Sequence, residues 1–501
     1  MVTPKRPGSR SLAANVIWNL LGQGAPLLVA VLAIPPLIRA LGTERFGLLS
    51  LAWVLVGYFS IFDLGIGRAL TQIVAGNLKG DRDPAMGRLV WTSLALLSLL
   101  GVALAAVLAA GSPWILGHFL KTPSYLYAEA LQASIFVAVA VPFGVIATGL
   151  RGILEARQAF FASNLVRLPL GVLTYLAPLA VATLTNHIDA ICASLLVTRV
   201  LAFGAYVFAS YRVAPDLMRA RGLTRTGLRR LLSFSGWMAV TNVVAPFMTY
   251  LDRFVIGAFV SITAVAYYAT PFDVVTRLFV IPAGVTGVMF PAFATRYAVK
   301  QHDARQLFVR GVKYLGLVMF PITLAFVTLA KPGLQLWLGP VFADHSTSVL
   351  QLLSVGVLMN SVGQVAFVLT QGSGRPRFTG VLSLIELPIY LVGLVVLVRV
   401  AGIEGAALAW TIRTGLDALV LLVFSSRLLN MSLARSTTAL LAPVVIGAAL
   451  LGLGALPMTL ITKLAFLAIV AAALIPIVWL RLLSPGERSR LAQALPHAKS
   501  G

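Results

Sequence analysis

The sequence is poor in charged residues, which make up only 11% of its 501 residues. Soluble domains carry about 25%, so a soluble globular fold is excluded. Hydrophobic residues reach 59%, and the mean hydropathy is +0.93. Apolar runs of about 20 residues, the length that crosses a bilayer as a helix, recur along the whole chain. The predicted fold class is therefore an all-α polytopic membrane protein.

Cysteine is almost absent, which excludes another group of folds and sites. Cys192, within an apolar run, is the one cysteine of the chain, so neither a disulfide framework nor a cysteine metal site can form. The five histidines lack the spacing of metal ligands. The sequence also lacks a Gly-Lys-Ser/Thr loop that would cradle phosphates. We expect no metal, no cofactor and no direct use of ATP.

Basic residues outnumber acidic ones and give a net charge of +23. They form no single patch of the kind that binds nucleic acid, because they fall in the loops between apolar runs. The termini and alternate loops carry 28 Lys and Arg, and the opposite loops carry six. The positive-inside rule therefore places both termini of this multi-pass protein in the cytoplasm. The fourteen predicted spans lie near 12–38, 46–66, 88–110, 130–150, 165–185, 190–211, 232–257, 264–290, 314–331, 349–370, 379–398, 404–426, 437–457 and 460–481.

Three short matches between the halves indicate an internal repeat. "APLL" matches "APFM", "NLVRLP" matches "SLIELP", and "ASLLVTR" matches "LAWTIR", at offsets of 220, 219 and 214 residues. An even number of spans separates the matches, so the repeats share one orientation and are related by a pseudo-two-fold axis along the membrane normal. We predict an N-terminal six-helix lobe at 1–220, a C-terminal six-helix lobe at 221–430, and two additional helices with a cytoplasmic tail at 431–501.

Several motifs carry a family resemblance. They are the spacing of Leu41-Gly42 and Phe46-Gly47, "FDLGIG" (62–67), "DRFVIGAFVSITAVAYYA" (252–269), "VMFPAFA" (288–294) and "GIEGAALAW" (402–410). With them the chain resembles the polysaccharide transporters of the multidrug/oligosaccharidyl-lipid/polysaccharide exporter superfamily.

That resemblance implies a flippase of undecaprenyl-pyrophosphate-linked oligosaccharides, with two lobes around a central cavity and alternating access. The pathway it implies is cell-surface polysaccharide biosynthesis, for O-antigen, lipopolysaccharide or exopolysaccharide. The implied partners are the lipid-linked glycan, membrane lipids, and polysaccharide polymerase and assembly proteins, but not nucleic acid.

Charges inside the predicted spans are the candidate functional residues. A charge at mid-bilayer costs at least about 2.5–3.5 kcal/mol, so it needs a partner or a cavity. The candidates for binding pyrophosphate or lining the cavity are Arg68, Arg199, Arg253, Arg277 and Arg413. The candidates for ion coupling or ion pairing are Asp63, Asp252, Asp273, Glu386 and Asp417.

Spacing separates some of these charges. Asp273 and Arg277 are four residues apart with the acid first, so they can pair on one helix face. Arg413 and Asp417 have the same spacing in the less favourable order. For both pairs a structural role and a functional role stay open.

Arg199 has no acid at helical spacing, and its counterpart in the repeat is Arg413. Two interpretations remain. Both arginines bind a pyrophosphate across the cavity, a role that suits the bidentate guanidinium, or Arg199 pairs with Asp63 or Glu386 on another helix.

The segment "FDLGIGRAL" (62–70) places an acid, a base and two glycines in an apolar region. Asp63 and Arg68 do not share a face of a regular helix. We predict Arg68 at the cytoplasmic mouth, where an anionic headgroup would load, and Asp63 deeper, beside an arginine of another helix. A purely structural role for the segment stays open.

Three alternatives compete with the flippase of lipid-linked oligosaccharides. One is an ion-coupled multidrug exporter of the same fold, and another is a flippase of a lipid-linked peptidoglycan precursor. The third is a polymerase or ligase acting on lipid-linked glycans. The short outer loops leave no room for the catalytic domain of such an enzyme, so we predict that the protein is not an enzyme.

Overall fold

A computed structural model describes residues 9–58, 63, 65–76, 84–220, 222–224, 247–299, 301–431, 433–477, 479–480 and 488. All regular structure in these residues is helical. The helices are α1 (Ser9–Tyr58), α2 (Ile66–Gly76), α3 (Pro84–Trp114), α4 (Tyr127–Ala156), α5 (Phe160–Ala182), α6 (Ile188–Val213), α7 (Pro215–Arg219), α8 (247–259), α9 (Ile262–Thr276), α10 (Val280–Val299), α11 (Gln301–Thr328), α12 (Ala330–Leu338), α13 (Pro340–Gly372), α14 (Pro376–Leu428), α15 (Leu433–Ala455) and α16 (Leu460–Ile477).

Two long helices are broken inside. α1 bends at Gly42, which has φ 73° and ψ 168°, a conformation that glycine reaches without steric cost. α14 breaks at Ala401 and Gly402, and Gly402 has φ 56°. Both breaks coincide with loops predicted from the sequence, between the first and second spans and between the eleventh and twelfth.

Ten helices in the described residues are long and apolar enough to cross a membrane. They confirm a multi-pass membrane protein, while the count of fourteen spans stays a prediction. Most of the predicted seventh span, 232–257, lies outside the described residues. In α5 only 11% of the most apolar window is buried, so its apolar side chains face outward, as a lipid environment requires.

The chain divides into two compact units. Unit 1 comprises Met1–Asp273 and Arg377–Trp410, and unit 2 comprises Val274–Pro376 and Thr411–Gly501. The lobe boundaries at 220 and 430 remain predictions from the sequence.

The core of unit 1 is centred on α4. This helix packs against α2, α3 and α6, while α5 packs against α1 and α6. One buried apolar cluster includes Leu70, Leu94, Leu150, Ile153 and Tyr206. Membrane helices approach closely where small residues line their contacts.

The core of unit 2 is centred on α13, which packs against α10, α11 and α12. The hydroxyl of Thr411 donates to the carbonyl of Leu352 at 2.8 Å and so ties α14 to α13. α15 and α16 pack on α11 through a buried cluster of Leu324, Val327, Leu451 and Val470.

The glycines of the Leu41-Gly42 and Phe46-Gly47 motif have separate structural roles. Gly42 forms the bend in α1, whereas Gly47 lets α1 approach the start of α9. A Cβ atom on Gly47 would lie 2.1 Å from the carbonyl oxygen of Ile262, so any larger residue forces the two backbones apart.

We therefore predict that Gly47→Ala lowers the free energy of unfolding by about 1–3 kcal/mol, the usual cost of overpacking. Thermal unfolding of the purified protein in detergent measures it. Gly144→Ala is the matched control, because a Cβ atom there has nothing within 4 Å. Equal melting temperatures for the two variants would contradict this account of the motif.

Candidate functional site

Asp63 lies in a turn rather than inside a helix. Both of its carboxylate oxygens accept backbone N–H bonds, from Gly65 at 2.8 Å and from Gly67 at 3.2 Å. Its own carbonyl accepts the N–H of Ile66 at 2.9 Å. α2 begins at Ile66, so Gly65 occupies the N-cap position and the Asp63 side chain caps the helix from two residues earlier. The helix dipole also favours a negative charge there. The sequence predicts an arginine partner for Asp63, and the structure instead gives it the N-terminus of a helix.

The two glycines of "FDLGIG" permit this cap. Gly65 has φ 76°, and a Cβ atom on Gly67 would lie 2.6 Å from the Asp63 carboxylate. A Cβ atom on Gly152 of α4 would lie 2.9 Å from the carbonyl oxygen of Gly67, so α2 and α4 are in close contact here. Arg68 follows on the backbone of α2, and its side chain is outside the described part of the chain.

Among the predicted arginines whose side chains the structure describes, Arg253 is the most deeply buried, with 2% of its surface exposed. Its guanidinium forms an ion pair with Asp273, whose side chain is 34% exposed. The rings of Tyr250 and Phe272 lie 5.3 and 5.5 Å from the guanidinium carbon, at distances where cation–π attraction operates. This ion pair joins α8 to α9, and the sequence did not predict it. The pairing of Asp273 with Arg277, four residues along the chain, stays a prediction.

Asp252, next to Arg253 on α8, points to a different neighbour. The hydroxyl of Tyr268 donates to its carboxylate, and both side chains are buried. The ring of Tyr268 stacks near Phe272, with centroids 5.8 Å apart. Phe272 meets Trp410 of α14 edge-on at 5.5 Å.

These side chains form a cluster within unit 1 that we call the α8–α9 cluster. The sequence singled out its charges but not its aromatic residues. Its members are Tyr250, Asp252, Arg253, Tyr268, Phe272, Asp273 and Trp410.

Arg199 has a different environment. It shares a face of α6 with Leu195, Ala202 and Tyr206, which are all buried, and is itself partly buried. No described residue forms a hydrogen bond or an ion pair with it. Neither Asp63 nor Glu386 is a partner of Arg199 in the described structure. A cation on a membrane helix therefore remains without a counter-charge from the described residues.

The other predicted charges are spread over both units. Glu386 is a half-buried residue of α14 in unit 1. Arg277 is exposed in a 3-10 turn at the start of unit 2, just after α9 ends at Thr276. Arg413 and Asp417 are half-buried on the part of α14 that belongs to unit 2. Their pairing, and the facing of Arg199 and Arg413, stay predictions.

Unit 1 also contains a second polar cluster, which the sequence did not predict. Arg45 donates two hydrogen bonds to Glu129, at 3.0 and 2.9 Å. The backbone N–H of Ile188 reaches the same carboxylate at 3.3 Å, as does the ring of His187. A loop arginine and an acid 84 positions apart gave no pattern that would reveal the pair. This cluster ties α1, α4 and α6 together.

Metal chemistry has no ready site in the part of the chain that the structure describes. Those residues contain no group of three His, Cys, Asp or Glu side chains able to hold a metal ion. The functional candidates are instead buried charged side chains. Some of them are neutralised by neighbouring groups, and Arg199 has no partner among the described residues.

Comparison with known proteins assigns the chain to a family. The family model of the polysaccharide biosynthesis protein matches residues 12–297. The chain belongs to this family. The match covers "FDLGIG", α6 and the α8–α9 cluster residues up to Asp273, and it confirms the resemblance to polysaccharide transporters.

Two curated relatives support the assignment to the polysaccharide biosynthesis protein family. A putative O-antigen transporter of Shigella flexneri is 29% identical over 416 residues, which are 82% of this chain and 97% of the relative. The probable flippase AglR of Haloferax volcanii is 24% identical over 412 residues, or 81% of this chain and 79% of the relative.

The fold is shared with a solved membrane-protein structure. A structure of the lipid II flippase MurJ in an inward closed conformation aligns with a TM-score of 0.72. The alignment covers 94% of this chain and all of the other, at 12% sequence identity. This polysaccharide biosynthesis protein therefore has the fold of MurJ.

The α8–α9 cluster yields a stability prediction. Asp273→Ala should lower the free energy of unfolding by about 1.5–3 kcal/mol, since it removes a charge-assisted bond from a buried guanidinium. Chemical unfolding in detergent, followed by tryptophan fluorescence, measures this loss.

The matched control is Asp344→Ala. Asp344 pairs with Lys331 at 2.9 Å, but both side chains are at least half exposed, so the loss should stay below about 1 kcal/mol. A loss for Asp273→Ala no larger than that of the control would show that the buried pair does not stabilise the fold.

Proposed function

We propose that this protein is a flippase that moves a lipid-linked oligosaccharide across the bacterial inner membrane. The cargo is an undecaprenyl-pyrophosphate-linked repeat unit, used to build a cell-surface polysaccharide such as O-antigen. Support comes from the family, and from relatives named as an O-antigen transporter and a flippase. In this proposal the chain is a transporter, not an enzyme, and both termini face the cytoplasm.

The choice of an anionic cargo rests on the environment of Arg199, which has no described counter-charge. A cation on a membrane helix with no described counter-charge can be neutralised by the ligand itself, and pyrophosphate suits guanidinium because it accepts paired hydrogen bonds. Arg253 is a weaker candidate, since Asp273 already balances its charge. We assign Arg413, the repeat counterpart of Arg199, to the second lobe's contact with the same headgroup.

The acidic residues favour this cargo over a cationic drug. Asp63 caps a helix, Asp252 accepts a bond from Tyr268, and Asp273 pairs with Arg253. A multidrug exporter needs a carboxylate that is available to a cation, and these three are engaged within the protein. A lipid-linked peptidoglycan precursor is also anionic and remains the alternative cargo.

Transport in this proposal proceeds by alternating access. Fourteen helices form two six-helix lobes and a C-terminal pair, and the lobes expose a central cavity to each side of the membrane in turn. The polysaccharide polymerase and assembly proteins consume the product on the outer side, and the membrane lipids surround the lobes.

Deletion of the gene tests the function in cells. Lipid-linked repeat units should accumulate on the inner leaflet and disappear from the outer leaflet, as detected with a membrane-impermeant glycan label. Normal delivery to the outer leaflet, in a strain without a second transporter of this family, would overturn the proposal.

Arginine variants test the headgroup contact. Arg199→Ala and Arg413→Ala should each lower transport about tenfold or more, because a charge-assisted bond contributes about 1.5–3 kcal/mol. The amount of inserted protein should stay unchanged, as measured by immunoblotting of membranes.

Arg212→Ala is the control on the same helix. Arg212 is exposed in the last turn of α6, 5.1 Å above the ring of Phe208, and its loss should leave transport at the wild-type rate. Wild-type transport in a double variant without Arg199 and Arg413 would remove both arginines from the mechanism.

A further inference from the structure

Unit 1 contains an apolar cavity, and none of its described lining residues is charged. Its volume is about 440 Å³, within the size range of pockets that hold small molecules. The second half of α1, the starts of α4 and α6, the end of α3 and the helix α8 enclose it. Lining residues on these elements include Leu51, Leu55, Ala133, Val137, Cys192 and Phe254.

The described walls of this cavity are almost entirely apolar. No described lining residue is charged, and Tyr250 and Trp114 are the aromatic lining residues that carry a polar group. The two lining serines are satisfied within their own helices, since Ser112 donates to Leu108 at 2.6 Å and Ser134 to Leu131 at 2.7 Å. Apolar cavities without polar partners stay dry. An occupant of this cavity must therefore be a hydrocarbon.

Aromatic side chains at the cavity are exposed to the surroundings of the protein. Trp114, Phe119 and Phe247 line it and are 61%, 37% and 45% exposed. In a membrane-spanning chain such exposed rings meet lipid, and tryptophan favours the boundary between hydrocarbon and headgroups. The cavity is thus accessible from the medium in which hydrocarbon chains are most concentrated.

We propose that one acyl chain of a membrane phospholipid occupies this cavity. A void of this size would forfeit contacts along all of its walls, and an acyl chain restores them. Because no charged side chain among the described residues lines the cavity, it does not select a headgroup, so the most abundant chains of the bilayer fill it. The bound chain completes the packing between α8 and the helices of the N-terminal half. The inference does not depend on the proposed transport function.

Photolabelling of the full-length protein tests this site. The protein is reconstituted in vesicles of phosphatidylethanolamine and phosphatidylglycerol that carry a diazirine on one acyl chain, and the adducts are mapped by mass spectrometry. We expect adducts on lining residues of 48–55 and 130–137. Labelling confined to outward-facing residues such as Leu165 and Leu201, which are 63% and 62% exposed, would overturn the proposal.

Two filling variants and a control sharpen the test. Ala133→Phe and Ala52→Phe narrow the cavity from different walls and should each reduce adducts on its lining at least fivefold. Ala103→Phe makes the same change at an exposed position of α3 outside the lining and should leave them unchanged. Since the two filling variants lie on separate helices, one that folds is sufficient. Undiminished cavity labelling in a folded filling variant would refute the site.

A second probe distinguishes two candidate occupants, a phospholipid acyl chain and a polyprenyl chain. A diazirine-bearing polyprenyl phosphate is added to unlabelled vesicles of the same phospholipids. Under the proposal the excess phospholipid keeps this probe out of the cavity. Cavity adducts from the polyprenyl probe, with none from the phospholipid probe, would assign the cavity to an isoprenoid and overturn the proposal.

Discussion

Hydrocarbon offers no hydrogen bonds, and this constraint governs where each charge of the chain is placed. A carboxylate or guanidinium at membrane depth must be satisfied by the protein or by what it binds. Asp63 is satisfied by backbone N–H groups at the start of α2. Arg253 is satisfied by Asp273 and by two aromatic rings. The packing of α2 on α4 and of α8 on α9 depends on these arrangements.

The same constraint makes Arg199 the exception that points to function. The neighbouring positions on its helix face are buried and apolar, and no described residue balances its charge. Under the proposed function, the anionic headgroup of the cargo supplies the counter-charge. Under that proposal, the engaged acids and the uncompensated base favour an anionic cargo over a cationic one.

The sequence was sufficient for much of the fold. Long apolar runs predict an all-helical membrane protein, and the loops near Gly42 and Gly402 appear as breaks in α1 and α14. "FDLGIG" and the other motifs predict the family. These features are local, because a hydrophobic run or a glycine acts where it stands in the chain.

Partners of the charges were harder to predict, because they depend on contacts between distant segments. Spacing predicts Arg277 as a partner of Asp273, but it gives no sign of Arg253, which meets Asp273 from 20 positions away. A regular helix through Asp63 was assumed, so the cap of α2 was missed. Arg45 and Glu129 carry no mutual signal, and an empty volume such as the apolar cavity leaves no pattern in a sequence.

Reconstituted flipping tests the central claim most directly. Purified protein is placed in sealed vesicles with an undecaprenyl-pyrophosphate-linked oligosaccharide in both leaflets, and a membrane-impermeant glycosidase is added outside. The account predicts that cleavage proceeds to all of the substrate when the protein is present and stops at the outer-leaflet fraction when it is absent. Cleavage that stops at that same fraction with folded protein in the vesicles would contradict it.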